Sequence, residues 1–157
     1  MLTLIRIDDR LIHAQVVVGW YEKCRPQRII LADDQVASNE WERRIFSSSA
    51  HSDIKVTILT VEEAASRINA GVYQQERVLL IVRDPVQALR LYRAGLEFEE
   101  INIGGMHYSG SREQLMGKIY IDNEEKHALR ELVKESVTLE ARALPGDEKI
   151  ILNSRIV

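Results

Sequence analysis

Arg10 and His13, at the end of the first apolar run, are the pair in this sequence best suited to group-transfer chemistry. Neutral imidazole is a nucleophile, and a reference pKa of about 6.5 keeps much of it uncharged near neutral pH. A guanidinium close by can grip phosphate oxygens through two parallel hydrogen bonds. The run Arg6-Ile7-Asp8-Asp9-Arg10-Leu11-Ile12-His13-Ala14-Gln15-Val16 starts as a strand (Leu2, Leu4, Ile5, Ile7) and breaks into charge at Asp8-Asp9-Arg10. A helix pattern begins at His13, and amides at a helix start add donors and positive potential. These features describe a cradle for a phosphoryl group held on His13. The same residues also fit a solvated strand end whose histidine caps a helix.

Around that pair, Asp8 and Asp9 are candidates to orient the imidazole or to fix Arg10, since a carboxylate sets tautomer and ring direction. Facing a phosphate directly they would repel it, so they are expected behind His13 and Arg10. A surface pair between Arg10 and Asp9 is the purely structural alternative. Gly104-Gly105 directly follows an apolar run, where backbone amides can turn towards an anion, although such a pair also serves as a plain tight loop. His107 follows, either lining the same site or standing on a surface loop. His51 and His127 lie in polar contexts and read as solvated. A metal site on Asp8, Asp9 and His13 lacks a second ligand cluster, so no metal is expected.

Composition narrows the class. A chain of 157 residues with 45% hydrophobic content suits one domain with a substantial core. A net charge of −3 with balanced acids and bases argues against nucleic acid as a partner. No apolar run approaches the roughly 20 residues needed to span a bilayer, and Met1-Leu2-Thr3-Leu4 does not resemble a secretory leader. Cys24 is the only cysteine and reads as a small buried apolar group.

The candidate residues need a scaffold, and apolar runs alternate with helical patterns throughout. Strand-like runs are Leu2–Ile7, Arg28–Ala32, Ile54–Leu59, Val78–Val82, Ile101–Ile103 and Ile119–Ile121. Strict alternation over Val137–Ala143 predicts a half-exposed edge strand near the C-terminus. Thr60 with Glu63, Asp84 before Pro85, and Asp122 with Glu125 mark helix starts, and Gly71 and Gly95 mark helix ends. A first helix would bury Val16, Val17 and Trp20 and end before Pro26. A weaker one over Ser38–Ala50 would bury Trp41, Ile45 and Phe46. Residues after Gly146 read as a loosely packed tail in which Ile150-Ile151-Leu152 has the means to dock. The expected fold is a three-layer α/β structure, an open, mostly parallel sheet with helices on both faces. In such sheets ligands bind at the carboxyl ends of strands, which gathers residues 8–13, Asp33-Asp34, Arg83-Asp84 and residues 104–110 at one edge.

The segment Arg6–Val16 resembles the active-site signature of the IIB components of the bacterial sugar phosphotransferase system, mannose/fructose/sorbose family. The similarity continues through Asp33-Asp34-Gln35-Val36-Ala37, Asn102-Ile103-Gly104-Gly105-Met106 and Ile119-Tyr120-Ile121-Asp122, and it covers residues 1–157 as one IIB domain. The resemblance implies a phosphotransferase with a phosphohistidine intermediate: His13 accepts the phosphoryl group, on Nδ1, from a IIA protein or domain. It then implies transfer to a sugar taken up through membrane IIC and IID subunits, with Arg10 as clamp and no cofactor. It places the chain in the cytoplasm, at the periphery of a membrane permease. The residues themselves leave open which ring nitrogen of His13 is used, the sugar and the oligomeric state.

The family's usual wording has glycine after the histidine, where this chain has Ala14. If that glycine holds a positive φ, alanine strains the loop by about 1 kcal/mol or more. If it is the first helical residue, alanine favours the helix; this second view is preferred, because His13, Arg10 and Gln15 are unchanged. Ala14 is also the feature that leans towards a different class, a regulatory or binding module of the same fold in which His13 phosphorylation is a signal or absent. A metal-dependent hydrolase on Asp8, Asp9 and His13 is a third class.

Overall fold

Val78-Leu79-Leu80-Ile81-Val82 carries no polar side chain and forms a strand buried throughout, one of seven in the main sheet of the computed structural model, which describes residues 1–156. Along the chain the elements are β1 (Leu2–Asp8), α1 (Ala14–Cys24), β2 (Arg28–Ala32), α2 (Asp34–Ala37), α3 (Glu40–Ser47), β3 (Lys55–Leu59), α4 (Val61–Asn69), β4 (Val78–Val82) and α5 (Pro85–Arg93). They continue with β5 (Glu100–Gly105), β6 (Glu113–Met116), β7 (Ile119–Ile121), α6 (Asn123–Lys134), β8 (Thr138–Ala141), β9 (Ile150–Ile151) and α7 (Asn153–Ile156). The main sheet has the order β3-β2-β4-β1-β5-β8-β9, parallel except for β9.

Strand periodicity divides the core into two layers. Ile29, Leu31, Leu79 and Ile81 pack under α1 through Val16, Val17, Trp20 and Cys24. Their neighbours Ile30, Ala32, Leu80 and Val82, with Ile5 and Ile7, meet residues of α4, α5 and α6 on the opposite face. The helices start where the sequence places caps: the side chains of Thr60, Asp84 and Asp122 each accept a backbone N–H from their first turns, and Asp122 with Glu125 completes a capping box.

Three local expectations are corrected. Trp41 and Ile45 are exposed, at 70% and 45%, and only Phe46 of that trio packs against the core. Val36 of α2 already fills the space beneath, and the short α3 rides at the sheet margin with charged residues on most of its surface. β8 is not the edge: β9 pairs along its outer side, and Glu140 is buried because Asn102 and Arg142 hydrogen-bond its carboxylate. Ile119–Ile121 lies outside the main sheet, in a two-stranded antiparallel ribbon with β6.

The C-terminal segment docks rather than trailing. Leu152 and Ile156 are fully buried, and the Asn153 side chain accepts from Leu139 N–H and donates to the Val137 carbonyl. Leu152→Ala should therefore lose about 2–5 kcal/mol, read as a lower urea midpoint, whereas a loosely packed tail would leave the midpoint unmoved.

The topology also fixes the site. From β1 the chain departs through α1 to β2 on one side, while β5 returns to pair on the other. In open α/β sheets a reversal of this kind places ligand sites beyond the carboxyl ends of the strands, here that of β1.

Candidate active site

Alternation along β1 sends Arg6 and Asp8 to the same side of the sheet, beneath the start of α1. Both side chains are fully buried. Asp8 Oδ2 accepts from Arg6 Nη2 at 3.0 Å and Nε at 3.3 Å, and His13 Nε2 lies 3.2 Å from it. Asp8 Oδ1 accepts the Arg10 backbone N–H at 3.0 Å and faces Arg10 Nε at 3.5 Å. Burial pushes the Asp8 carboxyl up, but the His13 hydrogen bond, the Arg6 charge and the Arg10 amide outweigh it and hold it below the usual aspartate value. An ionised carboxylate can only accept, so the proton sits on His13 Nε2 and the lone pair on Nδ1.

Arg6, which sequence reasoning missed as a site residue, is the deeper support. Its guanidinium donates to Asn102 Oδ1 at 2.6 Å and to the Arg142 carbonyl at 3.2 Å, and it lies 5.5 Å from the Trp20 ring centre. Burial lowers its pKa, and Asp8 opposes that shift. A legible signal existed: an arginine inside an apolar strand run, two residues before an aspartate on the same face.

This arrangement revises the reading of Gly104-Gly105. The two glycines are the end of β5, not a turn around an anion, and both are buried. A Cβ on Gly104 would stand 1.9 Å from Arg6 Cζ, so glycine is needed there for the guanidinium to fit. Gly105 pairs with Asp8 and its carbonyl accepts the Asp9 N–H at 3.1 Å, which ties the loop to β5.

The loop between β1 and α1 closes tightly, with Leu11 N–H donating to the Asp8 carbonyl at 3.0 Å. Leu11 takes φ 59°, and its buried side chain holds this left-handed backbone in place. Strain thus falls on Leu11 and not on Ala14, which is the first residue of α1, as the helical reading of that position expects. His13 is the N-cap in extended conformation, no side chain caps the helix, and its first turn holds no acid. The amides at this helix start are therefore directed at an open, positive position beside His13.

Arg10 pairs with Asp8 and with Gln15, whose Oε1 accepts from Nη2 at 2.9 Å, rather than with Asp9. Asp9 turns the other way. Its Oδ1 meets His107 Nδ1 at 2.5 Å, and its Oδ2 accepts the His107 backbone N–H at 2.7 Å and Arg112 Nη1 at 2.9 Å. Arg112 also grips both oxygens of Glu125, and these hydrogen bonds raise its pKa above the ordinary arginine value. Asp8, Asp9 and His13 consequently do not converge on one point. Asp33 and Asp34 serve the frame: Asp33 caps α2 and pairs with Arg83, while Asp34 accepts Val61 N–H and pairs with Arg90.

A histidine held by a buried carboxylate at a helix start, at the carboxyl edge of a parallel sheet, is an arrangement suited to an anionic group. Comparison with known proteins then gives the family. The model for the PTS system sorbose subfamily IIB component matches residues 2–156. The sorbose-specific EIIB component of Klebsiella pneumoniae is 34% identical over 99% of this chain and 94% of its own length. The fructose-specific EIIB component of Bacillus subtilis is 30% identical, over 93% and 90%. The crystal structure of the Klebsiella IIBSor domain superposes with a TM-score of 0.92 over 99% of this chain and 96% of that one, at 33% identity. The chain belongs to the sorbose subfamily of PTS IIB components, and its general role is in sugar phosphotransfer. Among the described residues no helix is long and apolar enough to cross a membrane.

Two outcomes follow from the buried centre. Asp8→Asn leaves Arg6 buried without its counter-charge and should lose about 3–5 kcal/mol in urea unfolding near neutral pH. Because the Asp8 pKa is depressed by folding, its contribution is present above the unfolded value of about 3.9 and disappears as pH falls through the folded one. The gap between wild type and variant should therefore narrow below about pH 4; a gap constant to lower pH would refute the ionised centre. Gly104→Ala should cost about 1–3 kcal/mol through overpacking against Arg6, measured the same way.

Proposed function

We propose that the protein is the phosphoryl carrier of a sugar phosphotransferase system, with His13 as the covalent site and Nδ1 as the attacking atom. The observation that carries this reading is the hydrogen bond between His13 Nε2 and the ionised Asp8, which leaves Nδ1 as the ring's lone-pair nitrogen. In the loading step, Nδ1 attacks the phosphorus of a phosphorylated IIA, the new N–P bond forms, and the bond to the donor nitrogen breaks. Arg10 and the amides at the start of α1 neutralise the transferring oxygens, so that positioning and charge do the work of catalysis. Asp8 keeps the imidazole oriented and offsets the positive charge that develops on it. In the second step the group passes to a sugar bound by membrane IIC and IID subunits. A mannose-specific EIIAB component of Escherichia coli is 29% identical to 96% of this chain, which covers 46% of it, and its name joins IIA and IIB in one protein. That pairing supports IIA as the donor.

The feature that leaned towards a regulatory module, Ala14, lies in ordinary helix and leaves His13 and Arg10 in their places. No specific observation now favours that alternative.

Intact mass after incubation with phosphoenolpyruvate, the general phosphotransferase proteins and a cognate IIA tests the reading. One acid-labile phosphoryl group should appear on the wild type and none on His13→Ala. Arg10→Gln should slow loading about a hundredfold, the scale of one lost charge-stabilising donor. A wild-type protein that stays unmodified beside charged IIA would overturn the proposal.

A further inference from the structure

The edge that holds His13 carries a second histidine–aspartate pair. His107 Nδ1 lies 2.5 Å from Asp9 Oδ1, and the histidine's own N–H binds the other oxygen of the same carboxylate. Arg112, only 13% exposed, donates to Asp9 and to the His107 carbonyl, so both ends of the pair are clamped to the loop. The imidazole itself is 48% exposed. With its Nδ1–H given to a carboxylate, the ring has its Nε2 lone pair free. The His107 ring also stands close to the first pair. Its Cε1, Asp8 Oδ1 and Arg10 Nη2 lie 3.4, 3.5 and 3.7 Å from the point where a Cβ on Gly105 would be. The sheet brings them there: Asp8 and Gly105 are register partners, and His107 follows Gly105 by two residues.

Transfer to a sugar hydroxyl releases a proton on the side of the phosphorus opposite His13: Nδ1 is bonded to phosphorus until the transfer is complete, and Nε2 already carries a proton towards Asp8. Asp8 is buried and occupied by Arg6, Arg10 and His13; Asp9 has both oxygens engaged. Gln15 is not basic. Among the described residues around the site, the half-exposed His107 imidazole is the side chain that keeps a basic nitrogen without a partner, Nε2.

Building on the carrier reading of His13, we propose that His107 is the general base for the second transfer, with Asp9 and Arg112 as its positioning residues. As the Nδ1–P bond of His13 breaks, its electron pair returns to the imidazole. The sugar oxygen forms the new O–P bond, and its proton passes to His107 Nε2, from which solvent removes it. Loading from a phosphohistidine donor is nitrogen-to-nitrogen and needs no such base, so the two half-reactions depend on His107 differently. The charged groups facing the ring are Asp9, Arg112 with its partner Glu125, and across the loop Arg10 and Asp8.

The test separates the half-reactions. Wild type, His107→Gln and Asp9→Asn are loaded by charged IIA in rapid quench. The phosphoproteins are then mixed with IIC- and IID-containing vesicles and radiolabelled sorbose, fructose, mannose or N-acetylgalactosamine. The ratio of discharge to loading rates should fall about a hundredfold in His107→Gln, and less in Asp9→Asn, where the base survives unoriented. An unchanged ratio, or equal slowing of both steps, overturns the base role. So does phosphoryl found on His107 in a His13→Ala background, which would make it an acceptor. Failure of the wild type to load defeats the carrier reading itself; loading without discharge to any of the four sugars defeats both the transfer to sugar and its base.

Discussion

The centre of the molecule is one buried carboxylate shared by two guanidinium groups and an imidazole. Asp8 is stable in that position only because Arg6 lies beneath it, and Arg6 is stable only because Asn102, the Arg142 carbonyl and the Trp20 face receive it. An isolated buried charge is strongly disfavoured, so every member of the set constrains the next. Gly104 belongs to the set by what it lacks, since the guanidinium occupies the volume of its missing side chain. The requirement runs through β1, β5, α1 and the segment after β8. A local chemical need, one oriented imidazole, thereby determines how four separated stretches of chain are packed.

This support has a mechanistic consequence. The proposed carrier role would require His13 to be held in one tautomer with the attacking nitrogen bare, and an anchor that does not attract the phosphate. Asp8 suits both requirements: it is buried, its charge is balanced by Arg6 and Arg10, and its oxygens are engaged by Arg6, Arg10 and His13. The helix start supplies positive potential from the other side without a fixed side chain that would need to move. Strain is confined to Leu11, whose buried side chain holds a left-handed turn, so the tight reversal between strand and helix is carried by packing rather than by glycine.

The two aspartates, adjacent in sequence, do separate jobs because a strand ends between them. Asp8 still follows the alternation of β1 and points to the α1 side. Asp9 is in the turn, hydrogen-bonded by its N–H to Gly105, and its side chain reaches the loop after β5. Backbone geometry thus distributes one Asp-Asp pair between two histidines.

Much of this is legible in the sequence. The apolar runs of β1, β2, β3 and β4, the caps at Thr60, Asp84 and Asp122, and the convergence of His13 and Arg10 at a strand edge all follow from local rules of periodicity and capping, which need only neighbours in sequence. The role of Ala14 was also legible, because a helix start tolerates alanine. Four things were decided by long-range packing: that Arg6 is buried, that Gly104 exists for its guanidinium, that Trp41 faces solvent, and that Glu140 is covered by a further strand. Each depends on partners far away in the chain, up to 136 residues in the case of Arg6 and the Arg142 carbonyl. Sequence by itself determined the element types and the chemical identity of the edge, since those rest on side-chain type and short-range spacing. Tertiary structure alone decided which charge lies under which, because burial and ion pairing are properties of the assembled core.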